Sequence, residues 1–142
     1  MKKLFLISLI LFLCELLAAE NFNVKLAISE IRNLEGKLYV DVINSRENFK
    51  NRISHKRIEL NPTAETVDFS LELPAGEYVF SLYQDVNCNK KLDANVLGIP
   101  KEPYGFSNYD GKSIPNSFEK LKVAINKNET VLIKIVHGFV SK

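Results

Sequence analysis

The chain has 142 residues, 46% of them hydrophobic, with 19 Lys and Arg against 17 Asp and Glu and no Trp. So much apolar content at a net charge of +2 excludes a disordered chain, and the near-balance of charge lacks the basic excess of a nucleic-acid-binding domain. The length suits one domain.

Met1-Lys2-Lys3 is a short positive segment, and Leu4 to Leu13 is an apolar run. A helix needs roughly 20 apolar residues to span a bilayer, so this run is too short to cross and reads instead as the core of a cleaved signal. The small pair Ala18-Ala19 marks the cut, giving a signal peptide over 1–19 and a single domain over 20–142. Phe12-Leu13 ahead of Cys14 lacks the small residue of a lipoprotein junction. The chain is therefore expected to be exported, periplasmic or secreted, with no membrane span after cleavage. One cysteine then remains, Cys88, so no internal disulfide supports the fold and the thiol reads as an unpaired loop residue.

The mature chain reads as strands. Phe22, Val24, Leu26 and Ile28 alternate with polar or small residues, the period-2 pattern of a half-buried strand. Asn33-Leu34-Glu35-Gly36 is a turn, after which Leu38, Val40 and Val42 share one face and Tyr39, Asp41 and Ile43 the other. The stretch from Arg46 to Asn61 offers one or two short strands or a loop. Val67, Phe69, Leu71 and Leu73 alternate up to the turn Pro74-Ala75-Gly76, and Tyr78, Phe80 and Leu82 continue beyond it. Leu121, Val123 and Ile125 precede the turn at Asn126–Glu129, and Val131, Ile133 and Ile135 form the last buried face. About seven short strands joined by Gly, Pro and Asn turns predict an all-β, antiparallel β-sandwich of the immunoglobulin- or transthyretin-like kind, with one long functional loop.

That loop, 85–117, begins Asp85-Val86-Asn87-Cys88-Asn89-Lys90-Lys91-Leu92-Asp93. Oxygen-bearing side chains at relative positions 1, 3, 5 and 9 follow the spacing of calcium loops, where a tight turn aims alternate side chains at a hard cation. Asp85, Asn87, Asn89 and Asp93, with the Lys91 carbonyl at position 7, are the expected ligands of a structural Ca²⁺. Lys90 stands where such loops favour Gly, and Val96 occupies the twelfth position, so Glu102 or Asp110 would have to fold back to close the site. The competing reading makes Asp85, Asn87 and Asn89 cap their own backbone in Asx turns. Glu102, Tyr104, Phe106 and Asn108 are the candidate ligand-binding surface, although Tyr104, Phe106 and Tyr109 also suit packing of the loop onto the sandwich.

Leu-Pro-Ala-Gly-Glu-Tyr at 73–78, the 85–93 loop, Gly-Ile-Pro-Lys-Glu-Pro-Tyr-Gly-Phe-Ser-Asn at 98–108 and Pro-Asn-Ser-Phe-Glu at 115–119 together resemble DUF2141, a bacterial domain family of unknown function. The resemblance spans about 22–140 and implies an exported, β-rich domain with no established activity. The family shows a His before the first Asp and Gly residues around the third polar position; here Gln84, Cys88 and Lys90 stand in those places.

His55 and His137 lie far apart without a second ligand at zinc spacing. No nucleophile-elbow motif is present, and the carboxylates Asp85, Asp93 and Glu102 sit beside amides, which suits ion binding better than acid–base work. Lys50, Arg52, His55, Lys56 and Arg57 form a basic stretch that reads as a charged strand edge, with contact to an anionic surface as the functional alternative. The expected function is a non-enzymatic binding or accessory module of the cell envelope, its partner an envelope protein or glycan. The alternatives are a carbohydrate- or peptide-binding protein using 102–109, and a hydrolase using the loop carboxylates.

Overall fold

The computed structural model describes residues 20–138; the expected signal peptide, 1–19, lies outside them. The alternating segments form strands β1 (Asn21–Ser29), β2 (Lys37–Ile43), β3 (Lys56–Leu60), β4 (Val67–Pro74), β5 (Gly76–Asp85), β6 (Tyr104–Phe106), β7 (Val123–Ile125) and β8 (Glu129–Lys134). They make two sheets, one ordered β4-β1-β8 and the other β3-β2-β5-β6 with β7 also paired to β5.

The period-2 faces meet as the pattern requires. Leu26 pairs with Phe69 and with Val131, and Ile28 with Val67 and Ile133, so one apolar stripe crosses all three strands of the smaller sheet. Leu38, Val40 and Val42 of β2 and Tyr78, Phe80 and Leu82 of β5 face that stripe and bury against it. Each fully buried aliphatic or Phe side chain here is worth about 1.5–3 kcal/mol. The buried clusters draw on residues from Phe22 to Ile135, so a chain beginning at Glu20 keeps all of these contacts.

The β-sandwich expectation holds, with one departure in strand direction: β8 runs parallel to β1, whereas β4 is antiparallel to it. The Ile135 N–H makes the last bond to β1, donating to the Ser29 carbonyl at 2.9 Å, and beyond it the chain turns to β6. Val136 forms an isolated bridge with Tyr104, exchanging backbone hydrogen bonds of 3.1 and 2.7 Å, and so ties β6 to the last strand. Gly105 permits this approach, because a Cβ there would press on the Lys134 carbonyl oxygen.

Two short helices stand where strands or loop were expected. Helix α1 (Arg46–Asn51) starts at Ser45, whose hydroxyl accepts from the Asn48 N–H at 3.1 Å, and ends at Arg52 in the left-handed region. Helix α2 (Phe118–Leu121) takes up Leu121, which the alternation with Val123 and Ile125 assigned to a strand. The i, i+3 pair Phe118 and Leu121 instead buries against Ile43 and Val79, with Phe49 of α1 packed edge-on to Phe118. This covers one end of the outer face of the larger sheet. The other end is covered by Tyr104, Phe106 and Tyr109 over the stacked pair Tyr39 and Tyr83, whose rings are 5.3 Å apart.

Candidate functional site

The 85–93 loop leaves the end of β5, where Asp85 is fully buried. Its carboxylate points into the loop: Oδ1 accepts from the Asn89 N–H at 3.1 Å and Oδ2 from the Lys90 N–H at 2.7 Å. Asn87 Oδ1 also accepts from the Asn89 N–H, at 3.1 Å, and Asn89 Oδ1 accepts from the Lys91 N–H at 2.8 Å. The Asn87 and Asn89 bonds are Asx turns, whereas Asp85 reaches four and five residues on; together they bend the chain tightly, and Cys88 and Lys90 both take positive φ, 59° and 62°. Two non-glycine residues thus occupy the left-handed region at the places where Gly would cost nothing.

The turn brings three of the expected ligands together. Asn87 Nδ2 and Asn89 Nδ2 both donate to Asp93 Oδ2, at 2.7 and 2.9 Å. Asp85 lies beneath them with both oxygens engaged by the backbone, and Lys91 is held through its N–H. Glu102, 7% exposed, does fold back to the loop, as the missing twelfth ligand required. Its oxygens, however, clasp the backbone at both ends, accepting from the Val86 and Asp93 N–H groups at 3.0 Å each. Asp110 stays away and caps the Lys112 N–H at 3.0 Å. Among the described residues no three His, Cys, Asp or Glu side chains cluster as metal ligands. Cys88 is exposed and free.

The residues 102, 104, 106 and 108 do not share one exposed surface. Glu102 faces the loop interior, Tyr104 is 2% exposed, Phe106 is half-buried, and Asn108 is exposed with its amide donating to the Lys122 carbonyl at 2.8 Å. Tyr104 and Phe106 pack with Tyr39 and Tyr83, and both also line the open groove on this face. Burial and the hydrogen bond between the Tyr104 and Tyr109 hydroxyls, 3.2 Å apart, push the Tyr109 phenol well above its ordinary value.

A larger feature escaped the strand pattern. Asp41 and Ser81 pair across β2 and β5 on the outer face, between the helix-covered end and the tyrosine-covered end. They floor an open groove of about 1250 Å³, walled by α1 and the 114–119 segment on one side and by the 90–100 loop on the other. The signal was present in the sequence: Asp41 and Ser81 are the polar breaks in the otherwise apolar outer faces Tyr39–Ile43 and Val79–Tyr83.

The family model described as an uncharacterized protein conserved in bacteria, DUF2141, matches residues 26–133. The chain belongs to this family. No curated protein and no solved structure matches it. The matched span of this DUF2141 chain holds the last four residues of β1, all of β2 to β7, most of β8, the Asx-turn loop and the groove, so loop and groove are parts of the family domain itself.

Proposed function

We propose that this DUF2141 chain is an exported, non-enzymatic binding module of the cell envelope whose 85–93 loop is pinned by a structural calcium ion. The observation that carries the reading is the convergence of the Asn87 and Asn89 amides on Asp93, with their nitrogens 2.7 and 2.9 Å from its Oδ2, so that an amide turned about its Cβ–Cγ axis sets its oxygen near the same spot. Oxygens in a shell of about 2.3–2.6 Å around a calcium ion stand about that far apart. Admitting the ion requires both amides to turn their oxygens inward, which gives up the two Asx-turn bonds, about 1 kcal/mol each, and the two bonds to the Asp93 carboxylate, about 1.5–3 kcal/mol each. Affinity therefore belongs to the weak class of extracellular modules, about 10⁻⁴–10⁻³ M.

The carboxylates support a binding rather than a hydrolytic role. Asp85 and Glu102 spend their oxygens on backbone N–H groups, and Asp93 accepts from two amides. All four oxygens of Asp85 and Glu102, and Oδ2 of Asp93, serve to fold the loop rather than to face a substrate.

Thermal unfolding of residues 20–142 in about 2 mM calcium and in chelator tests the reading. With Kd near 0.2 mM, linkage gives about 1.4 kcal/mol, a rise of several degrees. Asp93→Ala is expected to abolish the shift; no shift with calcium or magnesium would overturn it. Export is tested by the mass of the protein recovered outside the cytoplasm, with a mature N-terminus at Glu20 expected and an intact Met1 as the contrary result.

A further inference from the structure

Six cationic side chains line the groove, Arg46, Lys50, Arg52, Arg57, Lys90 and Lys91, against two carboxylates, Asp41 and Glu119. Both carboxylates are already neutralised. Arg57 meets Asp41 at 2.7 Å, and Arg46 meets Glu119 at 2.7 Å. Lys50, Arg52, Lys90 and Lys91 form no ion pair among the described residues. Four uncompensated charges face one groove in a chain whose total net charge is +2. Like charges gathered in a cleft attract an anion more strongly than the same charges dispersed.

The same groove has an aliphatic lip. Leu97 is 80% exposed, Ile114 69% and Leu92 41%, and all three line it; Val96, beside Leu97, is fully exposed. The lip is not slack chain. Ala94 bridges to Pro100, the Asn95 N–H donates to the Ile99 carbonyl at 2.8 Å, and Asn95 Oδ1 accepts from the Leu97 and Ile99 N–H groups at 2.9 and 3.0 Å. A small, internally bonded hairpin thus holds two adjacent aliphatic side chains outward next to unpaired lysines.

A soluble polyanion would use the cations and leave the aliphatic lip in water, while an apolar ligand would strand the cations. One chemistry uses both: an anionic headgroup among the cations with acyl chains against the lip. We propose that this groove docks on a membrane surface containing anionic lipid, seating a headgroup between α1 and the 90–91 lysines while Val96, Leu97 and Ile114 enter the acyl boundary. The proposal gives the binding module its ligand class and rests on that reading, but not on calcium.

The test is co-sedimentation of residues 20–142 with vesicles of phosphatidylglycerol and phosphatidylcholine in equal parts, and with phosphatidylcholine alone, at about 0.1 M salt. Binding to the mixed vesicles is expected to be at least about tenfold tighter than to the neutral ones. Leu97→Ser with Ile114→Ser is expected to weaken it about tenfold with the melting temperature unchanged, because both side chains are solvent-exposed. Lys90→Gln and Lys50→Gln should each cost about fivefold. Equal binding to both vesicles, or none, would overturn the proposal. So would binding that the lip variants leave intact and that soluble polygalacturonate competes away, which would assign the groove to an acidic glycan. Melting in calcium and in chelator on the same samples separates the two readings, since a calcium shift without vesicle binding refutes the docking surface alone.

Discussion

Glu102→Gln isolates what holds the 86–93 loop in place. The carboxylate is 7% exposed and accepts from the Val86 and Asp93 N–H groups at 3.0 Å each, so one side chain ties both ends of the loop to the body of the sandwich. A hydrogen bond to a charged acceptor contributes about 1.5–3 kcal/mol. Gln preserves the shape, but its amide group turns a donor toward one of the two N–H groups, and the remaining bond loses its charge assistance. One bond is lost and the other weakened, for a total of about 2–4 kcal/mol. With an unfolding entropy of about 2.1 cal/mol/K per residue over roughly 120 residues, each kcal/mol moves the melting temperature by about 4 °C. The expected drop is therefore about 8–16 °C by scanning calorimetry, with faster hydrogen exchange at the Val86 and Asp93 amides. A melting temperature unchanged within about 2 °C, with both amides still protected, would refute the clasp.

Other substitutions probe the frame around the loop and groove. Gly36 has φ of +72°, and a Cβ there would collide with the Asp85 carbonyl oxygen, whereas Gly98, at φ +75°, has open space. Gly36→Ala is expected to lose at least about 3 kcal/mol in urea unfolding and Gly98→Ala only about 1–2 kcal/mol, the cost of the left-handed conformation; equal midpoints would contradict this. Ser107, fully buried, accepts from the Phe80 N–H at 3.0 Å and donates to the Leu121 carbonyl at 2.7 Å, so Ser107→Ala should cost about 2–4 kcal/mol in the same assay. Hydrogen bonds from Lys122 and Arg46 hold the Glu119 carboxyl below its ordinary value. Its stabilisation is then fully present above the ordinary carboxylate pKa and is lost as pH falls through the lowered folded value. The stability gap between wild type and Glu119→Gln should close over that acid window in urea titrations, and a gap independent of pH would count against the network.

The strands that supply two-sided alternation were legible from the residues: β1, β2, β4, β5 and β8 all bury the faces that their period-2 pattern selects. Strand direction was not, because alternation is the same read either way, and so the parallel pairing of β8 with β1 left no mark in the pattern. The helices were hidden by shortness. Six residues in α1 and four in α2 give at most one apolar contact repeat, and Leu121 fits both an i, i+3 pairing with Phe118 and an i, i+2 pairing with Val123. Within the loop, the spacing of Asn87, Asn89 and Asp93 announced their convergence, while the clasp by Glu102 depends on the Ala94–Pro100 hairpin returning the chain. The basic stretch is split between two elements: Lys56 and Arg57 lie on the edge strand β3, Lys50 in α1 and Arg52 at its C-cap, yet Lys50, Arg52 and Arg57 all line the groove with Lys90 and Lys91.

The most direct test of the calcium reading is a crystal structure of residues 20–142 grown in calcium, with anomalous data. The account predicts a peak bounded by the Asn87, Asn89 and Asp93 oxygens, with both amides turned relative to the arrangement described above. Well-ordered density for the loop with no peak, and with both Asn amides still donating to Asp93, would contradict it and leave the Asx turns and the Glu102 clasp to order the loop without an ion.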